Sequence, residues 1–219
     1  MKKAVVLLSG GLDSTTCLSQ AIKDGFEAYP LSFDYGQRHN KELLCAELIC
    51  KYYNISTHKI IRIDNVGGSA LTDRDIEVPE YSGKSEIPVT YVPARNIIFL
   101  SYAAGYAEVI GAEAIYIGVN AIDYSGYPDC RPEFINAFEA MLRVGTKNGV
   151  EGNPISIKTP LLKLSKAEII TLANSNGAPL HLTTSCYKGG EKACGVCDSC
   201  ILRLRGFMEA GLTDVIEYE

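Results

Sequence analysis

The sequence has little positive charge and contains no long hydrophobic run. It holds 21 lysines and arginines against 26 aspartates and glutamates, a net charge of −5, which argues against a broad nucleic-acid-binding surface. The apolar segment 4–8 is too short for an export signal. The most apolar later stretch, 97–107, is interrupted by serine and glycine and is followed by Glu108, so no membrane span is predicted. We therefore expect a soluble, cytoplasmic protein that acts on small molecules, with neither a nucleic-acid nor a membrane partner.

Two common phosphate-binding motifs are also missing. No Gly-Lys-Ser/Thr follows the first glycines at the Walker distance, and no G-x-G-x-x-G is present there. Instead, SGGLDS (9–14) follows the apolar run 4–8, which has the character of a buried strand, and precedes a predicted helix that ends at Gly25. A glycine-rich bend between strand and helix turns backbone N–H groups toward an anion. Two glycines after a strand can also form only a tight turn, and that alternative stays open at this point.

The SGGLDS segment resembles the PP-loop of the ATP pyrophosphatase superfamily, whose members cleave ATP between its α and β phosphates. The resemblance implies that ATP is bound and that the end of the second strand, at Leu31 and Phe33, holds the adenine. An aspartate in the loop would repel a bare phosphate, so Asp13 predicts either an intervening Mg²⁺ or a helix N-cap. The expected ATP-binding residues of the loop are Ser9, Gly10, Gly11, Leu12, Asp13 and Ser14.

Strand and helix patterns alternate along the chain. The predicted strands are 4–8, 27–33, 58–64 and 112–119, with an extended piece at 155–161, and the predicted helices are 14–25, 41–53, 96–111, 131–146 and 165–177. This alternation predicts an α/β fold with a doubly wound, mostly parallel sheet that binds ligands at the carboxyl ends of its strands. The superfamily resemblance implies the same Rossmann-like, adenine nucleotide alpha hydrolase-like architecture. The long connection 65–95 is predicted to be a functional flap.

Basic residues at two helix starts are candidates for phosphate contact. Lys163 and Lys166 flank the start of the helix that Ser165 and Glu168 cap, and either could reach a phosphate or be a solvated surface lysine. The resemblance favours Lys166, because other PP-loop enzymes carry a lysine in a similar setting. It also makes Arg95, in VPARN, a phosphate or substrate contact. The predicted catalytic residues are therefore Asp13, Ser14, Arg95 and Lys166.

The loop after the fourth predicted strand, 118–134, is rich in polar and aromatic residues. Rings suit stacking on a flat heterocycle, and carboxylates accept from its exocyclic NH groups. Cys130 is a poor candidate for a nucleophile because no histidine lies near it in the sequence. The predicted substrate-binding residues are Asn120, Asp123, Tyr127, Asp129, Arg131 and Glu133.

Four of the eight cysteines crowd into fifteen residues near the end of the chain: Cys186, Cys194, Cys197 and Cys200. Gaps of two residues let neighbouring thiolates turn toward one ion, and four sulfurs complete a tetrahedral shell for Zn²⁺. A closed shell indicates a structural metal, and an iron–sulfur cluster is the alternative. We predict a PP-loop ATP-binding domain at 1–177 and a small zinc-binding segment at 178–219 that packs on it.

Along essentially its whole length the chain resembles the 7-cyano-7-deazaguanine synthase family, QueC. The resemblance rests on SGGLDS, VPARN, GVN, YSGYPDCRPEF and the cysteine spacing. It implies an ATP-dependent ligase of queuosine precursor biosynthesis, which converts 7-carboxy-7-deazaguanine and ammonia to the nitrile through an adenylated acid and an amide. The cofactors would be ATP, Mg²⁺ and Zn²⁺, and we expect a homodimer. The alternatives are a PP-loop tRNA thiolase, for whose RNA-binding region this chain has little room, and a non-catalytic ATP-sensing module.

Overall fold

The computed structural model describes residues 1–38, 40–64, 67–79, 87–121 and 126–219. Its strands are β1 (Lys3–Leu7), β2 (Glu27–Asp34), β3 (Lys59–Arg62), β4 (Ala114–Tyr116) and β5 (Ser156–Lys158). Its helices are α1 (Leu12–Lys23), α2 (Lys41–Tyr52), α3 (Arg95–Ile110), α4 (Pro132–Gly145), α5 (Lys147–Val150), α6 (Lys166–Ser175) and α7 (Asp198–Glu209). None of the helices in these ranges is long and apolar enough to cross a membrane.

The strands form one five-stranded sheet in the order β3-β2-β1-β4-β5. All four neighbouring pairs are parallel. From β1 the chain adds β2 and β3 on one side, then crosses over and adds β4 and β5 on the other. The predicted doubly wound sheet is therefore confirmed, and its switch point lies between β1 and β4, where such sheets bind ligands.

Successive residues of β1 point to opposite faces of the sheet, and both faces are apolar and covered. Val5 and Leu7 belong to a core that includes residues of α3 and α4. Ala4 and Val6 belong to a second core that includes residues of α1 and α2. A third cluster joins α1 to α6 and α7. The β1 strand is thus held on both sides, which fixes the position of the loop that follows it.

Several predicted boundaries differ from the structure. Helix α1 begins at Leu12 rather than at residue 14, because Gly11 is its N-cap residue, and the predicted stop is present as Gly25 with φ +84°. Strand β4 spans three residues instead of 112–119, since Ala112 still bonds to the end of α3. The capping box of Ser165 and Glu168 is confirmed. Helices α5 and α7 were not predicted.

Candidate active site

A cavity of about 260 Å³ opens at the carboxyl ends of β1, β2 and β4. The residues that follow these strands, the start of α1 and the start of α3 form its walls, and the segment 184–187 and α7 also contribute. Leu71, from the connection predicted as a flap, also lines it. Arg38 holds the same connection in place by donating to the carbonyl oxygen of Asp73 at 2.7 Å and to that of Ile76. The cavity therefore lies at the switch point of the sheet.

The SGGLDS bend forms the cavity floor between β1 and α1. Ser9, Gly11, Leu12, Asp13 and Ser14 line the cavity. The hydroxyl of Ser9 accepts from the Gly11 N–H at 3.2 Å, and the two serine hydroxyls of the bend lie 3.1 Å apart. No side chain of the described residues caps the N-terminus of α1. The bend consequently presents hydroxyls and the positive end of a helix dipole to the cavity, as an anion site requires.

Two glycines allow close backbone approach around the bend. Gly10 has φ +90°, and a Cβ there would lie 2.1 Å from the carbonyl oxygen of Glu42. At Gly118, just after β4, a Cβ would lie 3.1 Å from the backbone carbon of Asp13. The carbonyl of Gly10 accepts from the N–H of Thr184 at 3.1 Å. Contacts with α2, with the end of β4 and with the segment before the cysteine cluster therefore fix the position of the bend.

Lys166 and Asp13 form the charged pair of the cavity. The Lys166 ammonium donates to both carboxylate oxygens of Asp13, at 2.8 and 2.9 Å, and its side chain is only 8% exposed. Asp13 lies within α1 and Gly11 is the N-cap residue, so the N-cap interpretation of Asp13 is wrong. Of the two lysines considered, Lys166 lines the cavity. The pair places a cation and an anion beside the SGGLDS bend, although the two residues are 153 positions apart in the sequence.

An apolar wall lies beside the bend, at the end of β2. Leu31 and Phe33 both line the cavity. The Phe33 ring stacks on Phe99 with centroids 4.0 Å apart and planes 3° from parallel. A flat, apolar wall of this kind suits a purine ring. The structure thus brings the residues predicted for adenine next to those predicted for phosphate.

Arg95 faces this wall from the start of α3, beside Tyr35 and Glu42. Burial raises the pKa of the Glu42 carboxyl to about 7, and the nearby Arg95 guanidinium opposes that shift. Burial alone would lower the pKa of Arg95, but Tyr35 and Asp129 outweigh it, so the pKa is raised and the guanidinium stays charged. The cavity therefore holds a fixed cation beside a carboxyl that titrates near neutrality.

The predicted substrate loop 118–134 is only partly in the cavity. Asn120 and Tyr127 line it. Asp129 is 5% exposed and accepts from the backbone N–H of Asn96 at 3.0 Å, which satisfies a free N–H group at the start of α3. Arg131 and Glu133 are exposed at the start of α4, and neither is among the described residues that line the cavity. Asp123 lies outside the described residues. The substrate roles of this set stay predictions.

The four clustered cysteines form one buried group. Their sulfur atoms all lie within 4.8 Å of one another, and the sulfurs of Cys194 and Cys200 are 4.0 Å apart. Four thiolates around Zn²⁺ at about 2.3 Å lie roughly 3.8 Å from each other. The group therefore has the composition and spacing of a metal centre that holds one ion.

Several lining residues were not predicted from the sequence. Tyr35, Gln37 and Arg38 follow the end of β2 directly, so the strand-end rule applied to β2 would have found them. Glu42 and Arg203 carry no comparable signal, because each lies on a helix at a spacing typical of surface residues. The remaining unpredicted polar residues of the cavity wall are Asn96, Thr184, Ser185, Tyr187 and Ser199.

The family model described as "Queuosine biosynthesis protein QueC" matches residues 3–211. The chain belongs to the QueC family. It is 71% identical over 218 residues to the 7-cyano-7-deazaguanine synthase of Acetivibrio thermocellus, with 100% of this chain and 98% of the relative covered. The enzyme of the same name from Thermoplasma acidophilum is 59% identical over 223 residues, with 100% and 92% covered. Membership of QueC favours the synthase over the tRNA thiolase and the ATP-sensing module.

Among solved structures, the NMN synthetase of Francisella tularensis matches this QueC chain with a TM-score of 0.52 and 16% identity, covering 97% of this chain and 78% of that one. A predicted tRNA methyltransferase subunit from Methanocaldococcus jannaschii matches with a TM-score of 0.51 and 20% identity, covering 80% and 75%. At this level of identity the likeness shows a shared fold.

Proposed function

We propose that this protein converts 7-carboxy-7-deazaguanine and ammonia to 7-cyano-7-deazaguanine, with ATP activating first the acid and then the amide. The observation that carries the proposal is the Asp13–Lys166 pair, which lies at the mouth of the SGGLDS bend in a chain of the QueC family. A carboxylate is a poor electrophile because its oxygen leaves badly. Transfer of that oxygen to the α phosphate of ATP gives an acyl-adenylate with a good leaving group.

In this proposal the chain acts by positioning and charge neutralisation. Ser9, Gly11 and Ser14 donate to the phosphates of ATP, while Lys166 neutralises charge that develops as pyrophosphate leaves. Asp13 would hold Mg²⁺, an ion that commonly takes carboxylate and phosphate oxygens and would supply positive charge beside the phosphates. Leu31 and Phe33 hold the adenine against their apolar wall.

The acid substrate is proposed to lie on the Arg95 side of the cavity. Its carboxylate suits the Arg95 guanidinium. Its ring lies against Tyr127, with Asn120 fixing the adjacent loop by donating to the carbonyl of Leu161 at 3.1 Å. The full proposed set for the deazapurine remains Asn120, Asp123, Tyr127, Asp129, Arg131 and Glu133.

Zn²⁺ is proposed as the ion of the cysteine group. The close sulfur spacing favours one ion over an iron–sulfur cluster, whose several metal atoms would hold the thiolates further apart. We propose that residues 178–219 form the zinc-binding segment on a domain made by 1–177. The protein is further proposed to be a cytoplasmic homodimer.

The decisive experiment measures ATP–pyrophosphate exchange that depends on 7-carboxy-7-deazaguanine, with nitrile formation followed by mass spectrometry. We expect exchange with the acid alone and nitrile only after ammonium is added. Asp13→Asn should abolish exchange without unfolding the protein, because its carboxylate faces the cavity. Exchange that starts without the acid, or a wild-type rate in the variant, would contradict the proposal.

A further inference from the structure

The proposed reaction requires a base, and this inference rests on that reaction. When ammonia attacks the adenylated acid, a C–N bond forms, the bond from carbon to the AMP oxygen breaks, and one proton leaves the nitrogen. When the amide becomes the nitrile, the second oxygen leaves on another AMP and two more protons leave the nitrogen. Since ammonia is mostly ammonium at neutral pH, a further proton must be lost before the attack.

Few of the described groups in the cavity are able to accept these protons. The only carboxyls among the described lining residues are Asp13 and Glu42. Asp13 already accepts two hydrogen bonds from Lys166. Burial raises the pKa of Tyr35 and the pKa of Cys130, the latter to about 12, so both keep their protons near neutral pH. Glu42 remains.

Glu42 lies on the Arg95 side of the cavity, where the acid substrate is proposed to bind. It lies in the first turn of α2, and its backbone carbonyl packs on Gly10 so closely that no Cβ fits between them. Its side chain is half-buried in the cavity wall and faces Arg95. Within the part of the chain that the structure describes, no hydrogen bond or ion pair engages its carboxylate. A carboxyl with a pKa of about 7 can both accept and release a proton at neutral pH.

We propose that Glu42 is the general base of the amination, which binds ammonium beside Arg95 and accepts the protons that the nitrogen loses. The C–N bond forms at the carboxyl carbon of the adenylated acid, the electron pair of the broken C–O bond leaves with AMP, and the proton moves to a carboxylate oxygen of Glu42. Solvent then takes the proton before the next transfer.

The test separates adenylation from amination in Glu42→Gln, which keeps the shape of the side chain but removes the base. Acid-dependent ATP–pyrophosphate exchange needs no ammonia and should stay within about twofold of wild type. Amide and nitrile formation with ammonium chloride should fall by about 100-fold or more, the usual contribution of general base catalysis. Hydroxylamine, which is uncharged at neutral pH, should show a smaller deficit. Glu47→Gln, on the exposed side of α2, is the matched control and should match wild type.

Three results would overturn the assignment of Glu42. An equal loss of exchange and of amination in Glu42→Gln would place the residue in ATP or acid binding. Unimpaired nitrile formation would remove it from the reaction, and an equal deficit with hydroxylamine would exclude the binding and deprotonation of ammonium by Glu42. Absence of exchange in the wild-type protein is a distinct outcome, because it would refute the proposed reaction itself together with the role built on it.

Discussion

Substitution of Gly206 on α7 tests the role of the cysteine-bearing segment, because this glycine packs against the Lys166 side chain. A Cβ at Gly206 would lie 2.4 Å from Cγ of Lys166 and 2.9 Å from Cδ1 of Ile170. Ordinary contact begins at 3.4 Å, so Gly206→Ala must move α7 or the Lys166 side chain by about 1 Å. The same side chain carries the ammonium that bonds to Asp13 at 2.8 and 2.9 Å.

Two effects of opposite sign decide the result of this substitution. Helix propensity alone would make alanine more stable than glycine by about 1 kcal/mol. Overpacking a buried site costs about 1–3 kcal/mol, so we expect a net loss of free energy of unfolding of up to about 2 kcal/mol. A misplacement of about 1 Å in a catalytic group can cost about 100-fold in rate, so the loss of acid-dependent ATP–pyrophosphate exchange should exceed the loss of stability.

The matched control is Gly105→Ala in α3, where a Cβ meets nothing within 4 Å. It should be slightly more stable than wild type and fully active. Urea unfolding and exchange assays on both variants measure the two effects separately. If Gly206→Ala were as stable and as active as Gly105→Ala, the reasoning that α7 positions Lys166 would be refuted.

Three further predictions concern the charged pair, the metal and the acid of α2. Lys166→Met should lower acid-dependent exchange by about 100-fold or more, since it removes the buried cation that pairs with Asp13, and a near-normal rate would contradict this. Elemental analysis should find about one zinc per chain, and Cys197→Ser should lose the metal and unfold at lower temperature, whereas iron with acid-labile sulfide would exclude zinc. Burial raises the pKa of Glu42 from 4.5 to about 7. The protonated side chain therefore stabilises the fold fully below pH 4.5, and this stabilisation is lost as the pH rises through 7. Glu42→Gln should therefore gain stability relative to wild type at pH 8, by at most about 3 kcal/mol, but not at pH 4.5, as urea unfolding at the two pH values will show.

The sequence predicted the sheet well because its signals are local. Strand and helix periods alternate, and the parallel sheet follows from that alternation. The order β3-β2-β1-β4-β5 could not be derived in the same way, since several strand orders satisfy one pattern of elements. Part of the site could also be predicted from the sequence, because the SGGLDS bend and the ends of β2 and β4 lie at the same edge of such a sheet.

The remaining parts of the site depend on contacts between distant segments. Lys166 and Asp13 lie 153 residues apart, and only the resemblance to PP-loop enzymes favoured Lys166 over Lys163. Asp129 was predicted to bind substrate, and this role stays a prediction; what the sequence did not reveal is that its carboxylate also accepts from the backbone N–H of Asn96 at the start of α3. Glu42 has the sequence context of an exposed acid in the first turn of a helix. It lines the cavity only because Gly10 lets α2 approach the bend closely.

The cysteine pattern predicted a metal but obscured the helix that follows it. Cys197 is the N-cap residue of α7, and Cys200 lies within it, so one segment carries two of the four clustered cysteines and also the contact of Gly206 with Lys166. Arg203, on the same helix, is held by Asp214 at 2.8 and 2.9 Å and donates to Thr183 at 2.8 Å, next to the residue whose N–H bonds to Gly10.

These contacts indicate that the cysteine-bearing segment holds the SGGLDS bend in place in addition to stabilising its own fold. The segment reaches the bend through the N–H of Thr184 and reaches Lys166 through Gly206. It also accepts two hydrogen bonds, at 2.7 Å each, from the ammonium of Lys41, the neighbour of Glu42 at the start of α2. A segment this small has little core of its own, so an ion held by its four cysteines would fix α7 and the 184–191 stretch together. Loss of that ion should therefore displace Thr184 and Gly206, which contact the SGGLDS bend and Lys166, before it disturbs the sheet. The two cores that pack on the faces of β1 contain none of the four clustered cysteines.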